Sequence, residues 1–253
     1  MARRRFFVPE IRRGVAELVG RDAEHLVRVL RAEAGQVYEI SDNHKLYLAE
    51  IETATKSLVS FRVRERLEDP APFVHISLLA ALIKFERFEW LIEKATELGV
   101  AEIRPVEAVR SERGLAEAAR KRLARWEKIA LEASQQSRRA HLPRIGAPFR
   151  LAKSLEVDAD VRLVLDEEPT AKPILDCLPR ERSATDRVAL LLGPEGGWTD
   201  EEREKAIAAG WNACSLGETI LRAETAAIAG LAVIRAAWAE SRLAPAGHPP
   251  GPS

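Results

Sequence analysis

Glu195, Arg222 and Glu224, near the carboxyl end, are charged side chains of the types that can take a proton or hold a charge. A carboxylate accepts a proton from a weakly acidic group, and a guanidinium stabilises the anion that results. Two glycine-bearing stretches carry all three. "LLGPEGGWTDEE" (191–202) ends an apolar run in Gly193, Gly196 and Gly197 around Glu195, and "SLGETILRAETAAIAG" (215–230) sets Leu216-Gly217 ahead of Arg222, Glu224 and Thr225. Glycines there let the backbone take positive φ and approach a ligand with no Cβ in the way. A phosphate loop is disfavoured, because no lysine follows as in G-x-x-x-x-G-K-[ST], and G-x-G-x-x-G is missing. On spacing alone the first stretch is either a tight turn or a binding loop. Glu224 could equally cap its own helix, and Arg222 could anchor Glu195. No metal is expected: the five histidines have no HExxH companion, and Cys177 and Cys214 form no CxxC pair.

Such residues need a scaffold, and the periodicities describe one. "FVHISLLAAL", "VRLVLDE" and "RVALLLG" are continuous apolar runs of the kind shown by strands buried on both faces. Helical segments separate them. "FERFEWLIEKATELG" lines up Phe85, Phe88, Leu91, Ile92, Ala95 and Leu98 with Gly99 as a stop, and a second helix over about 115–137 has a basic face of Arg120, Lys121, Arg122, Arg125 and Lys128. This alternation predicts an α/β domain with a mainly parallel sheet, whose ligands bind at the carboxyl ends of the strands. Thr199 and Glu202 predict a capping box opening a helix after the glycines. Small residues at Ala226, Ala227, Ala229 and Gly230 permit close helix packing.

Residues 1–69 read differently. "DAEHLVRVLRAEAG" predicts one helix, with Asp22 as N-cap and Gly35 past its end; "QVYEIS", "KLYLAEI" and "LVSFRVRE" then predict strands, with a turn at Asp42-Asn43. These elements predict a small β-domain of barrel type. "EDPAP" (68–72) reads as a linker, and the Pro/Gly-rich end "APAGHPPGPS" predicts a disordered tail within 241–253. With 39 basic and 39 acidic residues the 253-residue chain has zero formal charge, so no global field draws it to nucleic acid. A local patch can. Arg3, Arg4, Arg5, Arg12, Arg13, Arg21, Arg28 and Arg31 face four acidic residues in the first 31 positions. Two unpaired cysteines, no secretory h-region and no apolar stretch of about 20 residues lead us to expect a cytoplasmic protein off the membrane.

Taken together, "GPEGGW", "SLG…ILRAETA", "HLVRVLR…G" (25–35), "IEKATELGV" (92–100) and "WEKIALEASQQSRR" followed by "LPRI" resemble, in order and spacing, the SPOUT methyltransferases. More closely they resemble the RsmE family of small-subunit ribosomal RNA uridine-N3 methyltransferases, over most of the chain. Two departures stand out: Phe85-Glu86 replaces a Gly-Asp-like turn before Arg87, and Thr219 stands where the family often has Arg.

The resemblance implies a PUA-like β-barrel domain over 1–70 and an α/β trefoil-knot domain over 71–240, working as a homodimer. It implies S-adenosylmethionine held by Leu192, Gly193, Gly196, Gly197, Leu216, Gly217, Ile220 and Leu221, and methylation of a uridine N3 in 16S ribosomal RNA or the small subunit. Glu195 and Glu224 become candidate bases, and Arg222 and Arg87 candidate anion stabilisers. Arg3, Arg4, Arg5, Arg28 and Arg31 would grip RNA, with Arg138 and Arg139 nearer the target base. A non-catalytic RNA-binding assembly factor is the competing expectation. It would need no cofactor.

Overall fold

The computed structural model describes residues 5–70 and 73–243. The chain divides into two compact units, Met1–Ala71 with Leu131–Leu142, and Pro72–Ala130 with Pro143–Ser253. Residues 131–142 thus group with the first unit, although the sequence runs through them as part of the second.

The first unit contains β1 (Arg5–Phe7), β2 (Ile11–Arg12), β3 (Val15–Val19), α1 (Arg21–Arg28), β4 (Val37–Ser41), β5 (Leu46–Ala54) and β6 (Leu58–Arg66). They form one six-stranded sheet in the order β1-β4-β5-β6-β3-β2, antiparallel except for β1 with β4. Alternation sends Ala16 and Leu18 of β3 inward with Ile40, Ile51, Val59 and Phe61, while Glu17 and Val19 face out. Asp42 shapes the β4–β5 turn by accepting from the His44 and Lys45 amides at 2.9 and 2.7 Å, and Asn43 takes φ +67°. The helix expected over 22–35 is cut short. It starts without a side-chain cap at Gly20, which leaves Asp22 inside its first turn, and it stops at Arg28 because Arg31 turns to φ +51°. Strands β1 to β3 were not legible in the sequence, being only three, two and five residues long.

The second unit contains β7 (His75–Ala81), α2 (Phe85–Glu97), β8 (Glu102–Glu107), α3 (Leu115–Arg120), the start of α4 (Leu123–Gln136), whose residues from 131 on group with the first unit, β9 (Arg144–Ile145), β10 (Phe149–Arg150), α5 (Leu151–Ser154), β11 (Val161–Leu165), β12 (Lys172–Pro173), β13 (Arg187–Leu192), α6 (Asp200–Ala208), β14 (Asn212–Ser215) and α7 (Ala223–Leu243). Its strands run β10-β8-β7-β13-β11-β14-β12, with β9 on β8, and the pairs are parallel. Successive residues of β13 alternate between two cores. Val188, Leu190 and Leu192 pack with Leu91, Ile92, Leu231 and Ile234, whereas Ala189 and Leu191 pack with Trp198, Ala206 and Trp211. Covering both faces is what makes the central strands continuously apolar. Helix α7 comes close because Gly230 has no side chain: a Cβ there would lie 3.0 Å from Leu190 Cδ2. That helix runs to Leu243, so the expected tail loses residues 241–243, and 244–253 lie outside the described residues.

The helix expected over 115–137 is two helices. Amides of Lys121 and Arg122 bond back only three residues, to Ala118 and Ala119, and this tighter turn ends α3 before α4 begins. Its basic face is also less open than its composition suggests. Arg122 and Arg125 donate to Glu89 of α2 at 2.9 and 2.8 Å, and Arg120 donates to the Pro148 carbonyl. The Arg125 hydrogen bond, opposed by burial and aided by Arg122, holds the Glu89 carboxyl below its ordinary pKa. A depressed carboxyl contributes stability above its unfolded pKa of about 4.3, lost as pH falls through the lower folded value. Glu89→Gln should therefore cost about 1 kcal/mol at pH 7, the scale of a partly exposed ion pair. The difference from the unsubstituted chain should shrink below pH 4 in urea unfolding. A gap independent of pH would show that packing, not charge, is responsible.

Candidate active site

Four adjacent parallel strands, in the order β7-β13-β11-β14, send their carboxyl ends toward one place. There the segments that follow them enclose a cavity of about 400 Å³, within the range of small-molecule sites. After β7, the first turn of α2 supplies Arg87; after β11 come Asp166 and Glu167; after β13 comes 193–198; after β14 comes 216–222. The two glycine stretches face each other because β11 lies between their strands.

The three glycines of the first loop do different work. Gly197 takes φ +68°, and its amide donates to the Pro194 carbonyl at 2.9 Å, closing the turn. Gly193 is small because Trp198 lies under it: a Cβ would stand 3.0 Å from the indole. Gly196 does not line the cavity, contrary to the expectation for it. It faces Arg110, whose Cβ lies 3.3 Å from where a side chain would begin. Positive φ is thus found at Gly197 of this loop and at Gly217 of the second, which takes φ +128°. Trp198 donates to the Leu165 carbonyl at 3.0 Å, and the Thr199–Glu202 capping box forms in full, starting α6. Leu192, Gly193, Gly197, Leu216, Gly217, Ile220 and Leu221 all line the cavity, and Ile220 is 80% exposed.

Of the four charged candidates Arg87, Glu195 and Arg222 line the cavity and Glu224 does not, and the pairing among them is one the sequence did not indicate. Arg87, not Arg222, binds Glu195, and Arg87 Nε is also 3.9 Å from Glu224 Oε1. Glu224 is buried in the first turn of α7, where a carboxylate suits the positive end of the helix dipole. Its Oε2 has no hydrogen-bond partner among the described residues. Arg222 lines the cavity exposed, and its side chain forms no ion pair or hydrogen bond with another described residue. Asp166, by contrast, is neutralised by Arg203 at 2.9 Å. Cys214, at the cavity floor, is no nucleophile: burial pushes its thiol up to about 12.

Sequence reading missed Arg110, which precedes α3 and shows no motif of its own. It also overestimated the first unit's open arginines. Arg5 is drawn inward, donating to Glu39 at 3.0 and 2.7 Å and to the Arg138 carbonyl, because β1 pairs with β4 and sets Arg5 opposite Glu39. Arg28 pairs with Glu24 one helical turn earlier, while Arg31 is exposed. Arg138 takes φ +55° just after α4 and is exposed; Arg139 donates to the His141 carbonyl. Arg3 and Arg4 lie outside the described residues. Among the described residues no cluster is arranged to hold a metal ion, and no helix is long and apolar enough to cross a membrane.

A parallel sheet with glycine loops meeting at its carboxyl edge, preceded by a small β-domain, fits an RNA methyltransferase with an appended PUA domain. Family models match both parts: an RNA methyltransferase domain over residues 69–235 and an RNA methyltransferase PUA domain over 18–64. The chain is 34% identical to the ribosomal RNA small subunit methyltransferase E of Synechocystis, over 93% of this chain and 78% of that one. It is 30% identical to that of Bacillus subtilis, over 91% and 95%. Solved structures agree. The Neisseria gonorrhoeae methyltransferase E, bound to S-adenosyl methionine, superposes with TM-score 0.82 at 27% identity over 94% of this chain and 98% of its own. A Legionella pneumophila methyltransferase in complex with SAM gives 0.83 at 32%, with the same coverage. The chain belongs to the ribosomal RNA small subunit methyltransferase E family.

Proposed function

We propose that this protein transfers a methyl group from S-adenosylmethionine to N3 of a uridine in 16S ribosomal RNA. The cavity joining the two glycine loops carries the reading. Its volume suits a cofactor of that size, Gly197 offers backbone where a side chain would intrude, and Glu167 and Glu218 give its lining an acidic character suited to a sulfonium. When bound, the cofactor supplies an electrophilic methyl group. Leu192, Gly193, Gly197, Leu216, Gly217, Ile220 and Leu221 hold it. The chain's own chemistry concerns the other reactant: uridine N3 must lose a proton, and the negative charge spread onto the ring oxygens must be met. Glu195, oriented by Arg87, and Glu224, with an unengaged oxygen, are the carboxylates that can take the proton. Arg222 faces the anion, since Arg87 is already committed to Glu195.

The target base has to leave its stack to expose N3. Arg28, Arg31, Arg138 and Arg139 grip the RNA backbone, which positions the substrate without specifying it. The family resemblance further supports a trefoil knot in the second unit, a homodimer and a cytoplasmic location. Mass spectrometry of ribosomal RNA from a strain lacking the protein tests the reading. The small-subunit RNA should lack one N3-methyluridine, and adding purified protein with S-adenosylmethionine should restore it. Methylation at another atom, or on large-subunit RNA, would refute it. No methyl incorporation, with RNA still bound, would favour an assembly factor.

A further inference from the structure

The glycine loop does not hold its shape alone. Arg110, in the segment between β8 and α3, donates through Nη1 to two of its carbonyls, Gly196 O at 2.9 Å and Trp198 O at 3.1 Å. The stem of the same side chain lies along Gly196, with Cβ and Cδ 3.3 and 3.5 Å from where a Cβ would stand there. The neighbouring residue makes the tie double. Val109 N donates to Glu202 Oε1 at 2.8 Å, and Glu202 is the buried carboxylate whose other oxygen accepts from Thr199 N at 3.0 Å in the capping box. Ser111 folds this segment on itself: its hydroxyl accepts from the Ala108 amide, and its amide donates to the Ala108 carbonyl.

We propose that Arg110 is a positioning residue of the cofactor site, setting the glycine loop through its carbonyls. This rests on the reading of the cavity as an S-adenosylmethionine site. The physical reason lies in peptide orientation. Gly196 and Gly197 have unusually free backbones, so an unbraced loop would sample many arrangements in which the Gly197 peptide no longer lines the cavity. Fixing the carbonyls on either side of Gly197 with one cation removes that freedom before the ligand arrives, and ordering of this kind is otherwise a cost of binding. Hydrogen bonds from a charged donor are the stronger sort, and here a single guanidinium reaches both acceptors. Arg110 is not among the residues lining the cavity, so its effect runs through the loop.

The test compares the full chain with Arg110→Ala and Arg110→Lys, using calorimetry with S-adenosylmethionine, thermal unfolding, and steady-state kinetics on small-subunit RNA. Arg110→Ala should weaken cofactor binding roughly tenfold or more, the scale of a lost charge-assisted hydrogen bond. KM for the cofactor should rise in parallel, while kcat at saturating cofactor stays within about twofold, because a filled site has its loop in place. Arg110→Lys should recover part of the affinity, since an ammonium keeps the charge and can reach a carbonyl but lacks the planar fork. Unchanged affinity in Arg110→Ala would overturn the proposal. So would a loss of affinity matched by a large fall in melting temperature that Arg110→Lys does not relieve, the mark of a structural role alone. If the unsubstituted chain gave no heat with S-adenosylmethionine, the reading of the cavity itself would fall.

Discussion

Gly197→Val is expected to abolish cofactor binding and methyl transfer together. Gly197 holds φ +68°, and its missing Cβ would lie 3.0 Å from Glu167 Oε1 on the cavity wall. A left-handed backbone costs an ordinary residue about 1–2 kcal/mol, and branching at Cβ makes it worse. The turn would relieve this strain by rotating the Gly197 peptide, which breaks the amide bond to Pro194 and moves the backbone that lines the cavity. Glu167 could swing aside, but the backbone strain would remain. Calorimetry with S-adenosylmethionine measures the first loss and methyl incorporation into small-subunit RNA the second. Circular dichroism should report an intact fold, because Gly197 itself belongs to neither core. Wild-type affinity in this variant would remove the glycine loop from the cofactor site.

Arg222→Ala should lower turnover by roughly 10²–10³-fold and leave cofactor affinity nearly unchanged, as when one preorganised donor to a developing anion is removed. That corresponds to about 3–4 kcal/mol of transition-state stabilisation, more than an exposed charge contributes to stability. The structure sharpens the expectation. Arg87 is engaged with Glu195 and near Glu224, whereas the Arg222 side chain enters the cavity rim with no partner among the described residues. Arg87→Ala should therefore act differently, freeing Glu195 from its orientation. Single-turnover kinetics at saturating RNA, set beside calorimetry, separate chemistry from binding. Wild-type turnover in Arg222→Ala would dismiss the catalytic role, and parallel loss of cofactor binding would make Arg222 a structural part of the second loop.

What the sequence determined by itself was local, or reducible to a period. The apolar runs of β7, β11 and β13, the capping box at Thr199, the Asp42-Asn43 turn and the inward face of α2 each follow from a few neighbouring residues. The two glycine stretches could be recognised as a pair, yet nothing in their spacing said that they meet. Their meeting was decided by strand order: β11, earlier in the chain than both, lies between β13 and β14 and brings their carboxyl ends into one crevice. Long-range partners decided the rest. Gly196 is a glycine because of Arg110, 86 residues away, and Gly193 because of an indole that folds back beneath it. Arg87 reaches Glu195 across 108 residues, leaving Arg222 for the cavity, and Arg5 turns to Glu39 because a parallel strand places it opposite. A charge or a small residue announces its chemistry in sequence, but which group it serves is set by the distances that folding creates.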